Sequence, residues 1–246
     1  MKDRENMMQN DTGLIPLGYY IVRHSGVTSK PSWAPSGYVT VAGCLCEGVI
    51  PGIESVSLEG ERLEKIQQEW NLSASEARRL YDAVRNSCMQ INYEQFQNFL
   101  DYDTPARICR EFFARREDVL IIGLCSDDKN FLEESYIKKV APLPKNTELM
   151  GWDLYEFGDY GKEKESLPPL VYHFTGMTLG LGCSFCCCDM DGALIKRMGV
   201  QLNSYGMYPD AKSAKQAAEI VNSERLGEPC HYLPFALFRC FEKNKG

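Results

Sequence analysis

Leu170 to Asp191 reads LVYHFTGMTLGLGCSFCCCDMD, and how this stretch is read decides the fold. It overlaps a run, Ser166 to Cys188, that holds no formally charged residue. About 20 apolar residues suffice to span a bilayer, so a membrane helix is weighed first. Pro168, Pro169, His173, two threonines and three glycines in that run argue against it. A buried strand over Val171 to Thr175, a glycine loop and a helix start near Asp189 fit the residues better. The stretch also carries four of the chain's eleven cysteines.

Its flanks supply more elements. Before it, Leu149 to Phe157 (LMGWDLYEF) reads as a strand, followed by a polar loop from Asp159 to Pro169. After it, Asp189 to Met198 reads as a helix stopped at Gly199. Asn203, Gly206 and Pro209 mark a turn. Asp210 then caps a helix over Ala211 to Arg225, with Ala214, Ala217, Ala218 and Val221 on its apolar face and Gly227 and Pro229 ending it. Tyr232 to Phe241 is a final strand, apolar on both sides.

Further upstream, Val119 to Cys125 (VLIIGLC) lacks alternation and reads as a strand covered on both faces. Asn130 to Val140 reads as a helix, and Pro142, Pro144 and Asn146 as a loop. In the first hundred residues, Leu17 to Arg23, Tyr38 to Cys46 and Ile53 to Leu58 read as strands, with a loop from Ser25 to Ser36. Their short connections imply antiparallel pairing. Helices follow: Arg62 to Trp70 with Leu63, Ile66 and Trp70 inward, then Ala74 to Met89 behind a Ser73–Glu76 capping box. Leu80, Ala83, Val84 and Cys88 share the second helix's stripe. Tyr93 to Leu100 reads as a short helix, and Thr104–Pro105 opens another to about Arg115. The expectation is a mixed α/β (α+β) protein: a small N-terminal sheet with helices over 1–116, then an α/β part over 117–246. No internal repeat is evident at this level.

Composition bounds the rest. A chain of 246 residues buries roughly 70 % of its unfolded surface. Its 27 basic and 34 acidic residues give −7. That balance argues against broad nucleic-acid binding, which needs clustered positive charge, and suits a basic partner. The opening MKDRENMMQNDTG has no apolar core and does not read as a secretory signal. An odd cysteine count without such a signal points to the reduced cytoplasm.

The cysteines invite metal and thiol readings. Cys183 and Cys186 form a C-x-x-C, extended by Cys187 and Cys188. Cys230, His231 or Cys240 could complete a zinc set, but adjacent Cys230 and His231 lack the spacing of structural sites. A redox pair lacks the tryptophan and proline of thioredoxin-type sites. His173 or His231 could serve a cysteine nucleophile, yet neither lies in a signature that fixes the geometry. Asp189 and Asp191 favour a helix N-terminus without catalysis. Gly176, Gly180 and Gly182 have no lysine at phosphate-loop spacing. Small apolar cysteines at a tight strand-to-helix join account for most of the run.

Four segments carry a resemblance: ELMGWD (Glu148 to Asp153), CSFCC (Cys183 to Cys187), GVQLNSYG (Gly199 to Gly206) and HYLPF (His231 to Phe235). With AAEIVNSE (Ala217 to Glu224) in order between the last two, they resemble a group of small bacterial cytoplasmic proteins. In that group a strand ending near GYD or GWD precedes a His-Ser-aromatic-x-Cys segment. A helix, a G-x-x-x-N-x-Y-G turn, a second helix and a W-x-P strand follow. Here Cys183 stands where histidine is usual, and Tyr232 where tryptophan is usual. Some members look like immunity proteins encoded beside secreted polymorphic toxins. The resemblance implies a cytoplasmic binding protein and carries no catalytic or metal site with it.

The expected function is therefore a non-enzymatic binding protein, with no cofactor, whose partner is a protein such as a basic toxin domain rather than nucleic acid or membrane. Aromatic anchors beside carboxylates suit such an interface, and Trp152, Asp153, Tyr155, Glu156, Asp159 and Tyr160 supply them. The alternative is a metal- or thiol-dependent enzyme using Cys183, Cys186, Cys230 and His231.

Overall fold

In a computed structural model of the chain, the described residues are 13–23, 58–87, 98–129, 139–157, 173–174, 177–178, 185–186, 192–227 and 231–241. They form a mixed fold of helices and strands around one four-stranded antiparallel sheet. The strands are β1 (Ile15–Arg23), β2 (Val119–Ser126), β3 (Thr147–Phe157) and β6 (His231–Cys240), in the order β1-β2-β6-β3. The inner pair, β2 and β6, are the two segments whose sequences are apolar without alternation. An inner strand has neighbours on both sides and cover on both faces, which is what such a run requires. All of β2 after Val119 is buried. The two-residue strands β4 (His173–Phe174) and β5 (Met177–Thr178) pair with each other. Extended pairing there is the outcome expected of the uncharged stretch, and no helix among the described residues is long and apolar enough to cross a membrane.

The strand expected over 38–46 lies outside the described residues, as do the helix expected over Asn130 to Val140, apart from Lys139 and Val140, and the third expected strand apart from Leu58. β1 pairs along its length with β2, so the sheet runs across the boundary at Arg116. Buried hydrophobic residues from both sides of that boundary join one cluster among the described residues.

The helices follow their apolar spacing. α1 (Glu61–Trp70) buries Leu63, Ile66 and Trp70. α2 (Ala74–Arg85) opens on the Ser73–Glu76 capping box and buries Ala77, Leu80, Tyr81 and Val84. It ends earlier than Met89, at Arg85. α3 (Asp103–Phe112) buries Pro105, Ala106 and Ile108 and lies against β1 and β2. Its first turn is capped by Asp101 rather than by Thr104: the Thr104 N–H donates to Asp101 Oδ1 at 2.7 Å. The short helix expected to end at Leu100 does not reach it, because Phe99 is an extended residue bridged to Tyr19. α4 (Gly192–Met198) stops at Gly199, whose φ is 63°. α5 (Ala211–Glu224) is capped by Asp210 and buries Ala214, Ala217, Ala218 and Val221 against β6 and β3. Arg225, at φ 55°, makes the left-handed exit expected of Gly227.

Candidate functional site

The segments singled out in the sequence converge on the outer edge of β3. Edge strands expose unpaired backbone groups that have to be covered. Trp152 exchanges both backbone hydrogen bonds with Tyr208, each at 2.8 Å, on the side away from β6. The turn that brings Tyr208 there is built by Asn203. Its Oδ1 accepts from the N–H groups of Tyr205 (2.9 Å) and Met207 (3.2 Å), and its amide donates to the Met150 carbonyl at 2.7 Å. Gly206, at φ 79°, lets the turn close. Gly151 lets it dock. Its φ is 150°, and a Cβ there would stand 2.7 Å from both Asn203 Nδ2 and Met207 Cβ.

Next along the edge stands Asp153, a carboxylate with 0 % exposure. The Leu154 N–H points the same way as that of Trp152, two residues before it, and donates to Asp153 Oδ1 at 2.7 Å. The same oxygen accepts from the Cys186 N–H at 3.3 Å. The carboxylate therefore fills a missing ladder partner and ties the cysteine-rich segment to the sheet. Phe185, beside it in sequence, meets Tyr232 edge to face at 5.1 Å. Tyr208 completes the corner. Burial pushes its hydroxyl far above the ordinary tyrosine range, with the neighbouring Cys186 and Asp153 adding to the rise. Tyr232 is in turn held by Asn222 of α5, which donates to its carbonyl at 2.9 Å and accepts from its N–H at 2.8 Å. Residues of ELMGWD, GVQLNSYG and HYLPF, with Phe185 and Cys186 of CSFCC, thus meet in one cluster.

The residues expected to face a partner are divided by this geometry. Trp152 and Tyr155 are buried with Asp153, and Tyr155 meets Phe235 at 6.1 Å. These three side chains present no surface to a protein. The sequence WDLYEF does not show which side chains are covered; part of the cover comes from residues far away in the chain, at 185–186 and 203–208. Glu156 lies on β3 opposite Tyr232. Asp159 and Tyr160 lie outside the described residues.

No family model, curated protein or solved structure matches the chain.

Of the alternative metal set, Cys183 and Cys230 lie outside the described residues. Cys186 is buried and His231 is exposed at the start of β6, opposite Phe157. Elsewhere the described thiols behave as core residues. Burial raises the Cys125 thiol far above its ordinary range and pushes that of Cys240 up to about 12. Both remain protonated at neutral pH, whereas a nucleophile or metal ligand acts as thiolate. What sequence reading missed is the work of Asn98, Asn203 and Tyr208. Asn203 was legible as a turn residue, but the carbonyl it holds is 53 residues away in sequence.

Proposed function

We propose that this chain is a non-enzymatic cytoplasmic binding protein that neutralises a bacterial toxin by occupying it. The observation that carries the reading is the convergence just described. Described residues of four motifs resembling an immunity-protein group meet at one place, where Asp153 and Asn203 hold backbone and Trp152, Phe185 and Tyr232 are buried. Such motifs specify a scaffold and leave its outer surface to vary with the partner. The acidic balance, −7 overall, supports a basic partner through electrostatic steering. Asp153 is satisfied by backbone N–H groups and shielded from solvent, so it is poorly placed to take a proton from a substrate.

The test is protection. The first step is to read the neighbouring genes; where one encodes a secreted protein, its C-terminal domain is expressed with and without the chain in one host. Growth restored by the wild-type chain supports the reading. Growth arrest despite abundant, folded chain contradicts it, and stoichiometric zinc in the purified reduced protein would favour the metal-dependent alternative.

A further inference from the structure

The two edge ladders repeat one register. In the first, Ile15, Gly18, Tyr19 and Arg23 stand opposite Ser126, Leu124, Gly123 and Val119. In the second, Glu148, Gly151, Trp152 and Glu156 stand opposite Arg239, Leu237, Ala236 and Tyr232. Counted from the two glycines, the offsets are the same. Each ladder slips by one residue just before its glycine, at Leu17 and at Met150. Gly18 and Gly151 have φ of 149° and 150°. An asparagine amide donates to the carbonyl of each slipped residue, Asn98 to Leu17 at 3.2 Å and Asn203 to Met150 at 2.7 Å. Those asparagines also occupy the space where a Cβ on either glycine would fall.

The correspondence continues along the chain. The residue after each glycine exchanges both backbone bonds with an aromatic residue, Tyr19 with Phe99 and Trp152 with Tyr208. Two positions beyond each aromatic stands an aspartate, Asp101 or Asp210. Each accepts the backbone N–H three residues on, from Thr104 at 2.7 Å and Ser213 at 2.8 Å. A helix follows in both cases, α3 or α5, and then an inner strand, β2 or β6.

The inner strands show how the halves are related. Matching the ladders equates Gly123 with Ala236, Leu124 with Leu237 and Cys125 with Phe238. Between β2 and β6, Cys125 pairs with Ala236 and Gly123 pairs with Phe238. The correspondence turns each of these pairs into the other, and turns the Leu124–Leu237 pair into itself. That is the signature of a twofold axis through an isologous contact.

We infer that the chain is an internal duplication: two copies of one β–α–β unit, β1 to β2 and β3 to β6, fused as the covalent equivalent of a twofold dimer about the Leu124–Leu237 pair. Chance accounts poorly for a bulge glycine, an aromatic bridge and an aspartate cap recurring in the same register, with an asparagine reaching the same carbonyl from one residue before the aromatic in the first copy and five before it in the second. The copies differ at a telling position. Tyr20 follows Tyr19 where Asp153 follows Trp152, so the carboxylate that holds Cys186 belongs to the second copy.

A twofold relation makes the gap from β6 back to β1 equal to the gap from β2 on to β3. Twenty-one residues separate Ser126 from Glu148. A linker of the same length from Arg239 back to Ile15 therefore has the same distance to span. A circular permutant that begins at Thr147, ends at Asn146 and runs from Arg239 to Ile15 through twenty-one residues keeps both units. It is expected to unfold in one cooperative transition within about 5 °C of the natural order, since breaks between units are tolerated. Failure to fold, when the natural order folds under the same conditions, overturns the equal spans and with them the inference. A second measurement needs no rearrangement. In the intact chain, Asn98→Ala should speed amide exchange at Tyr19 and Phe99, and Asn203→Ala should do so at Trp152 and Tyr208, each by about tenfold and each within its own copy. Acceleration in one copy only, or across both from either change, contradicts a repeated device.

Discussion

At the scale of single residues, the outer edge of β3 is held by side chains that replace backbone partners. Removing Asp153 with alanine leaves the Leu154 and Cys186 N–H groups to find others. Buried unsatisfied donors cost about 1–3 kcal/mol each. Asp153→Ala is therefore expected to lower stability by roughly 2–4 kcal/mol, read as a fall in the urea midpoint, with Asp153→Asn milder because its Oδ1 still accepts. A midpoint unchanged in the alanine variant would place the carboxylate outside the fold's support. Gly151→Ala is a second case. The new Cβ meets the Asn203 amide and Met207 at 2.7 Å, on a backbone at φ 150°. Strain and displaced contacts together are expected to cost more than about 2 kcal/mol. Neither burial was legible from sequence. Asp153 is a charged residue on the edge strand of the sheet, and its cover includes residues brought from elsewhere in the chain.

At the scale of elements, local chemistry was largely readable. The capping box at Ser73 and Glu76 and the Asp210 cap were evident from residue type and spacing, because each acts over three residues. The errors fell where a tertiary partner competes. Phe99 pairs with Tyr19 instead of continuing a helix, and Asp101 accepts the backbone N–H of Thr104, the residue expected to be the cap itself. The caps also make stability depend on acid. The Ser213 backbone N–H holds the Asp210 carboxyl below its ordinary 3.8, and the Ser73 hydroxyl holds that of Glu76 below 4.5. Both values are lowered by folding. Their contribution is complete above the ordinary values and fades as pH falls through the lower folded ones. An Asp210→Ala, Glu76→Ala double variant should be less stable than wild type at pH 7, and the gap should narrow below about pH 4. Urea unfolding at pH 7 and pH 3 measures this; a gap of equal size at both would assign the loss to something other than charge.

At the scale of the whole molecule, one four-stranded sheet and one apolar cluster join residues from both halves of the chain. The α+β class followed from the order of periodic segments. The strand order and the repeat did not, because the two copies share a handful of backbone-shaping residues rather than a run of identical ones. The axis gives a further expectation. Leu124 and Leu237 are both fully buried and face each other across it. Leu124→Ala and Leu237→Ala should each cost about 2–5 kcal/mol and should be strongly non-additive when combined, as contacting residues are. Additive losses in chemical denaturation would separate the two sites.

The functional proposal meets its most direct test in solution, by stopped-flow and calorimetric titration of the intact chain against the C-terminal domain of a secreted protein found encoded next to it. Saturable binding is expected, with an association rate that falls as salt rises, because the acidic chain steers a basic partner. An absence of binding at micromolar concentrations of both folded proteins would contradict a neutralising role.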